Sequence, residues 1–181
     1  MVLRESSLEH WEESKFRAVF SQYYARIVGI LANVLGERSS AEDVANDAFW
    51  RLYRQPALQA DGNVGGWLYR TATNLGIDAL RAANRRRQYE EASVRTSPAS
   101  HCDGPLENAL REEKRRKVRR VLSRIKPAQA QLLILRSNGF SYKELAESLN
   151  VKASGVGTML NRAEEEFRAQ YLTLHSNQEE L

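Results

Sequence analysis

Cysteine, proline and long apolar runs are what this chain has least of. A single cysteine, Cys102, excludes an internal disulfide and leaves no thiolate pair for a metal site. A reducing cytoplasm fits. No segment reaches the roughly 18 uninterrupted apolar residues that a membrane span needs, and Glu5, Glu9, Glu12 and Glu13 stand where a secretory signal would be apolar. No membrane insertion is expected. Apolar and polar residues nowhere alternate for long, which argues against a sheet. His10, His101 and His175 are scattered, no glycine-rich phosphate loop follows a strand, and no nucleophile lies beside an evident base. An enzyme is therefore not expected, and neither a metal nor another cofactor is implied. His101 and Cys102 are neighbours, but two potential ligands do not make a metal or redox site.

What is present is helical periodicity and segregated charge. With 181 residues the chain has room for two small domains. Its net charge is only +4, yet basic residues gather between Arg81 and Arg87 and again between Arg111 and Lys126. Such clustering suits a protein that meets phosphate backbones in places and another surface elsewhere. Each cluster alone is equally compatible with a solvated helix face.

From Phe16 to Leu35 apolar residues recur every three or four positions, predicting a long helix that Gly36 ends. Ser39 and Ser40 offer N-caps to a second helix, with Glu42 and Asp43 three residues on and Val44, Ala45, Ala48, Phe49, Leu52 and Tyr53 facing inward. Pro56 closes it. A turn-rich stretch over 57–66, with Gly65-Gly66, leads to a third helix from Trp67. Leu68, Ala72, Leu75 and Ala79 form its expected core face, and Asn74, Asp78 and Arg81 a polar stripe on another side.

Periodicity then lapses between Tyr89 and Pro105, where serine, glycine and proline collect, as in a flexible connector. The expected fold is all-α, with two small helical domains: 1–88, a linker over 89–105, and 106–172, followed by a frayed tail over 173–181. The second domain begins with a helix carrying Leu106, Val118, Leu122 and Ile125, cut at Lys126-Pro127. A short helix over 128–136 follows and stops at Asn138-Gly139.

Two constellations stand out. Ser141-Tyr142-Lys143-Glu144 matches a capping box, Ala146 is small enough for a close helix crossing, Asn150 tolerates a left-handed turn, and Val156 can fill the angle beyond it. This is helix-turn-helix spacing. A second helix from Ser154 would turn Val156, Met159, Leu160, Ala163 and Phe167 inward, leaving Lys152, Ser154, Gly155, Thr158, Asn161 and Arg162 for DNA. Further upstream, Trp50, Tyr53, Trp67 and Tyr69 lie close in sequence to Arg70, Arg81 and Arg85-Arg86-Arg87. Rings that stack on unpaired bases beside guanidinium groups that hold phosphates suit single-stranded nucleic acid. Tyr53 and one tryptophan are expected in the core, and Trp67, preceded by two glycines, is the expected base contact.

Taken in this order, the segments from Phe16 to Tyr171 resemble an extracytoplasmic-function (ECF) sigma factor of the sigma-70 family, with its regions 2 and 4. The resemblance implies a factor that binds core RNA polymerase and directs promoter-specific initiation. Ala41-Glu42-Asp43 through Tyr53 is similar to the segment that grips the beta-prime clamp helices, implying Asp43, Asn46 and Asp47 as polar contacts. Gly66-Trp67-Leu68-Tyr69-Arg70 onward is similar to the part that melts and reads the minus-ten element, implying Asn63, Trp67, Asn74, Asp78, Arg81 and Arg85. Ser141 to Arg162 is similar to the part that reads the minus-thirty-five element and sits against the beta flap. There the family's usual Thr-Val-Lys-Ser-Arg is replaced by Gly155-Val156-Gly157-Thr158-Met159, without its two cations. The resemblance also implies an anti-sigma partner. The rival reading is a stand-alone helix-turn-helix regulator, which has no reason to carry the Asp43, Asn46, Asp47 stripe followed by the Trp67 segment.

Overall fold

The apolar stripe that starts at Phe16 lies on α1 (Glu13–Leu35), which buries Ile27, Val28, Ile30, Leu31 and Val34 and ends at Gly36 in the left-handed region (φ 83°). The computed structural model describes residues 11–59, 62–93 and 106–176. Among them are seven α-helices, one 3-10 turn over Pro56–Gln59 and no strand. Helix α2 (Arg38–Tyr53) and α3 (Val64–Ser93) complete an N-terminal half in which all three helices pack on one another. Its core holds Leu31, Phe49, Leu52, Leu68 and Ile77, each fully buried. Removing a side chain of this kind from water stabilises the fold by about 1.5–3 kcal/mol. Helices α1 and α3 approach so closely that a Cβ on Gly76 would fall 2.6 Å from Leu31 Cδ2.

By length and composition α1 is apolar enough to cross a membrane. Its apolar face is nevertheless the one packed into the bundle, where Ile27 and Leu31 are almost fully buried.

The C-terminal half consists of α4 (Leu106–Arg124), α5 (Pro127–Ser137), α6 (Tyr142–Leu149) and α7 (Ala153–Ser176). Pro127 occupies the first turn of α5, where its missing N–H costs nothing. Val121, Ile125, Leu132, Leu135, Leu145, Val156 and Leu160 make this half's core. The halves are not separate bodies: α3 packs against α4, α5 and α6.

Four boundaries differ from the sequence expectations. Helix α2 begins at Arg38 with Glu37 as N-cap residue, and the Ser39 and Ser40 hydroxyls donate to the Glu37 carboxylate at 2.6 and 3.1 Å instead of capping. Helix α3 starts at Val64 and continues through Ser93, so the expected boundary at 88 and the first residues of the expected linker over 89–105 lie within a helix. Residues 85–90 are exposed. Arg, Gln and Glu propagate a helix by propensity alone, and a helix without an apolar face carries no periodic signal. Helix α7 likewise runs to Ser176, into the span expected as a frayed tail. His101 and Cys102, and the rest of 94–105, lie outside the described residues, as do Glu5 and Glu9.

Candidate nucleic-acid and polymerase interface

Four residues of α2 share one exposed face. Asp43, Asn46, Asp47 and Trp50 follow one another at helical spacing, and Trp50 is 58 % exposed. Its ring stacks on Tyr53 with centroids 5.9 Å apart. Asp47 pairs with Arg51 at 3.1 Å, and Glu42 with Arg38 at 2.8 Å, so part of the acidic charge is balanced within the helix. An exposed indole flanked by two carboxylates and an amide has the composition of a protein-binding anchor.

Beside this face a cleft of about 570 Å³ opens between α2 and α3, lined by Trp50, Arg51, Arg54, Trp67, Asn74 and Asp78 among others. Trp67 is half-buried there, while Asn74 and Asp78 are exposed. The cleft thus brings together two rings and two guanidinium groups, the pairing that holds an unpaired base and its phosphate. The tryptophan buried in the core is Trp11, 5 % exposed, whose indole N–H donates to the Gln55 carbonyl at 2.9 Å. Tyr53 is half-buried and packs edge-on against Phe16.

Asn63 and Arg81 take different positions from the rest of the expected minus-ten set. The Asn63 carboxamide caps α3: Oδ1 accepts the Gly66 N–H at 3.1 Å, and Nδ2 donates to the Glu147 carbonyl of α6 at 3.0 Å. A Cβ at 66 would lie 2.4 Å from Asn63 Oδ1, so a larger residue there would displace the Asn63 cap. Arg81 turns from the cleft toward the other half, donating from Nε to the Ser123 carbonyl at 3.1 Å and from Nη2 to the Ile125 carbonyl at 2.8 Å. Arg85 lines a second, basic cleft of about 380 Å³ with Asn84, Arg87, Arg120 and Arg124. The stripe expected along α3 is therefore split, with Asn74 and Asp78 on one side and Arg81 on the other.

The C-terminal motif forms as its residues dictate. The Ser141 hydroxyl accepts the Glu144 N–H at 3.3 Å, while the Glu144 carboxylate accepts from the Ser141 N–H at 2.8 Å and from its hydroxyl at 2.7 Å. The Ser141 hydroxyl foremost, then the Ser141 N–H, hold the Glu144 carboxyl below the ordinary carboxylate range. Asn150 ends α6 in the left-handed conformation (φ 56°). On α7, Val156, Leu160 and Ala163 are buried, Met159 and Phe167 half-buried, and Ser154, Thr158, Asn161 and Arg162 exposed on one side. Lys152 is exposed in the turn before it, and Gly155 is half-buried. An apolar groove of about 550 Å³ lies behind the motif, lined by Val118, Leu122, Leu133, Ile134 and Phe167.

Two family models match this chain in order: Sigma-70 region 2 over residues 19–86 and Sigma-70 region 4 over residues 115–167. The chain belongs to the sigma-70 family. Among its relatives, the ECF RNA polymerase sigma factor SigE of Mycolicibacterium smegmatis is 25 % identical over 177 residues, spanning 96 % of this chain and 66 % of that one. The ECF RNA polymerase sigma factor SigW of Bacillus subtilis is 25 % identical over 177 residues, spanning 92 % of this chain and 94 % of that one. A similar fold occurs in the sigma factor RpoE solved in complex with the anti-sigma factor NepR from Bartonella quintana, with a TM-score of 0.50, 17 % identity, and coverage of 87 % of this chain and 96 % of that one. The region 2 match carries α2 and most of α3, and the region 4 match ends within α7.

The sequence places one of the two tryptophans Trp50 and Trp67 in the core, but Trp67 is half-buried and Trp50 is 58 % exposed; the surface position missed is that of Trp50. The signal was present: it stands three residues after Asp47, four after Asn46 and seven after Asp43, so it shares their helix face.

Proposed function

We infer that this chain is an ECF-type sigma factor that binds core RNA polymerase and directs promoter-specific initiation. The observation that carries the reading is the coexistence, in family order, of the exposed α2 face, the aromatic cleft between α2 and α3, and the exposed face of α7. Asp43, Asn46 and Asp47, with Trp50 as their apolar anchor, grip the beta-prime clamp helices. Trp67, Asn74 and Asp78 receive the melted minus-ten strand, with Asn63, Arg81 and Arg85 as further contacts. Lys152, Ser154, Gly155, Thr158, Asn161 and Arg162 face the minus-thirty-five duplex, and the apolar groove behind α7 takes the beta flap. The two functional units divide between α3 and α4, with residues through Ser93 in the first and from Leu106 in the second.

These roles need no catalysis by the chain itself and place it beside the polymerase in the cytoplasm. An anti-sigma protein covering the same faces would silence it. Each DNA-reading unit is weak in isolation, and mounting both on one polymerase raises the effective concentration of the second once the first has bound. Co-elution of the purified protein with bacterial core polymerase, followed by transcription from a genomic-fragment library, tests the reading. Stable binding with initiation at a restricted promoter set is expected. Absence of core binding by the pure protein, with α7 still binding duplex DNA, would favour the stand-alone regulator.

A further inference from the structure

Along the seam where α3 meets the C-terminal half, one cleft carries charge of a single sign. Arg81, Asn84 and Arg85 present one face of α3 at three- and four-residue spacing, and Arg120, Ser123 and Arg124 present one face of α4 in the same way. With Arg87 they line about 380 Å³ of space, and no carboxylate is among the lining residues. Elsewhere α4 balances its cations, pairing Lys117 with Glu113 at 2.8 Å and Arg119 with Glu112.

The neutral groups of the cleft are already satisfied. Asn84 Nδ2 donates to Ser123 Oγ at 2.7 Å, and the Ser123 hydroxyl donates to the Arg120 carbonyl at 2.8 Å. Arg81 gives Nε to the Ser123 carbonyl at 3.1 Å and Nη2 to the Ile125 carbonyl at 2.8 Å. What remains is the guanidinium groups of Arg85, Arg87, Arg120 and Arg124, which have neither a hydrogen bond nor an ion pair among the described residues. The dipole at the C-terminus of α4 favours a cation at Arg124 but gives no reason for the other three.

Like charges that converge on one cleft raise one another's energy until an anion neutralises them. Guanidinium groups take phosphate oxygens through paired N–H donors, with a geometry that ammonium groups lack. A single phosphate group carries about 1.5–2 negative charges and meets only part of this set. Phosphates linked in a chain meet all of it. The volume lies at the small end of ligand sites, about 300–1,000 Å³. The lining side chains are arginine, asparagine, glutamine and serine only, so no ring is present to stack a base. Recognition therefore rests on the phosphates, and a small anion suits the cleft better than a nucleic-acid strand.

We propose that the cleft between α3 and α4 binds a small oligophosphate, either an inorganic chain or the phosphates of a nucleotide whose base stays in solvent, through Arg85, Arg87, Arg120 and Arg124. This site is distinct from the cleft around Trp67 and from the α7 face, and it depends on neither promoter role given above.

The test is calorimetric titration of the full chain at about 0.15 M salt, where long-range attraction is screened, with inorganic tripolyphosphate, ATP and sulfate as probes. Tripolyphosphate or ATP is expected to bind saturably at one site, and sulfate at least about tenfold more weakly. The tighter of the first two names the source of the chain. Arg85→Gln with Arg120→Gln should weaken binding at least about tenfold. Arg86→Gln with Arg116→Gln removes the same charge from exposed positions on the same helices outside the cleft and should leave binding unchanged. Cooperative melting of both variants checks their folding. Should the cleft variant not fold, phenylglyoxal labelling of the wild type read by mass spectrometry decides, with tripolyphosphate expected to protect Arg120 and Arg124 but not Arg116. No saturable binding, equal losses in the two variants, or sulfate binding as tightly as tripolyphosphate overturns the proposal. So does a cleft variant that loses affinity for a DNA oligonucleotide while the wild type ignores tripolyphosphate and ATP, since the cleft is then a nucleic-acid contact.

Discussion

Helices α3 and α7 carry the same kind of surface and meet different fates. On α7 the polar face of Ser154, Thr158, Asn161 and Arg162 is open, because the motif's own core, Val156, Leu160 and Ala163, occupies the opposite side. On α3 the polar stripe turns as it proceeds, so that Asn74 and Asp78 line the α2 cleft while Arg81 is taken by α4 and α5. A helix that packs on one side keeps one face free. A long helix wedged between two bundles has little face left, and its polar groups are drawn into whichever neighbour offers acceptors.

The comparison is broken most sharply at the α2 face, outside both helices. Asp43→Ala, Asp47→Ala and Trp50→Ala together are expected to weaken core polymerase binding about 100-fold, since a central aromatic anchor alone contributes 2 kcal/mol or more in such interfaces. Competition binding with labelled core reads this, and restoring Trp50 alone should recover most of the loss. Unchanged affinity would remove α2 from the interface.

Next in size is Arg81→Ala set against Arg162→Ala. The first should lower promoter opening at unchanged duplex affinity and also loosen the seam. The second should lower duplex affinity by about 1–3 kcal/mol and leave the seam alone. Permanganate footprinting and a gel-shift titration separate the two. Equal effects of both on duplex binding would erase the distinction between the helices.

Gln131→Ala tests the seam from the other side. It strips the part-buried Arg70 carbonyl and the buried Thr73 hydroxyl of a donor, so a loss of about 1–2 kcal/mol in urea unfolding is expected if the halves unfold as one. A loss of zero would mean that the seam contributes nothing in solution.

The capping box gives a pH signature confined to the C-terminal half. The Glu144 pKa is lowered on folding from an ordinary 4.5, so the carboxylate contributes stability that is fully present above that value and is lost as pH falls through the lowered folded pKa. Denaturation midpoints of wild type and Glu144→Gln should therefore differ near neutral pH and converge in acid. A constant difference would dissociate the cap from the titration.

The smallest effect sharpens the α7 side. A Cβ at Gly155 meets nothing within 4 Å. Gly155→Lys should restore a phosphate anchor that the family usually has nearby, steepening the log-affinity against log-salt slope for duplex DNA by about 0.9. An unchanged slope would place residue 155 away from the backbone.

Much of the fold was legible in the sequence because its signals are local. The capping box at Ser141 and Glu144, the left-handed Asn150, the α1 stripe ending at Gly36 and the break at Lys126-Pro127 depend only on neighbours a few residues away. The expected inward residues of α2 followed from helical periodicity, and Ala45, Ala48, Phe49 and Leu52 are buried. Harder to read were elements without an apolar face. The end of α3 looked like linker since its exposed residues 85–90 favour helix by propensity but carry no apolar periodicity. Ser39 and Ser40 looked like caps, but Glu37 precedes them and accepts both hydroxyls.

The sequence by itself determined that this chain is all helical, that its two sigma-70 segments come in family order, and which residues compose each motif. Periodicity, caps and turn residues act over a few positions and are written in the order of the chain. Only the tertiary structure decided that Arg81 and Asn63 bind carbonyls of the opposite half, that Trp50 is the exposed indole, and that Trp67 shares a cleft with it. Those outcomes depend on which surfaces meet across 42 and 84 positions of sequence, as in the Arg81 to Ser123 and Asn63 to Glu147 bonds. A side chain with donors to spare goes to the nearest unpaired acceptor in space, and no local pattern records where that acceptor will be.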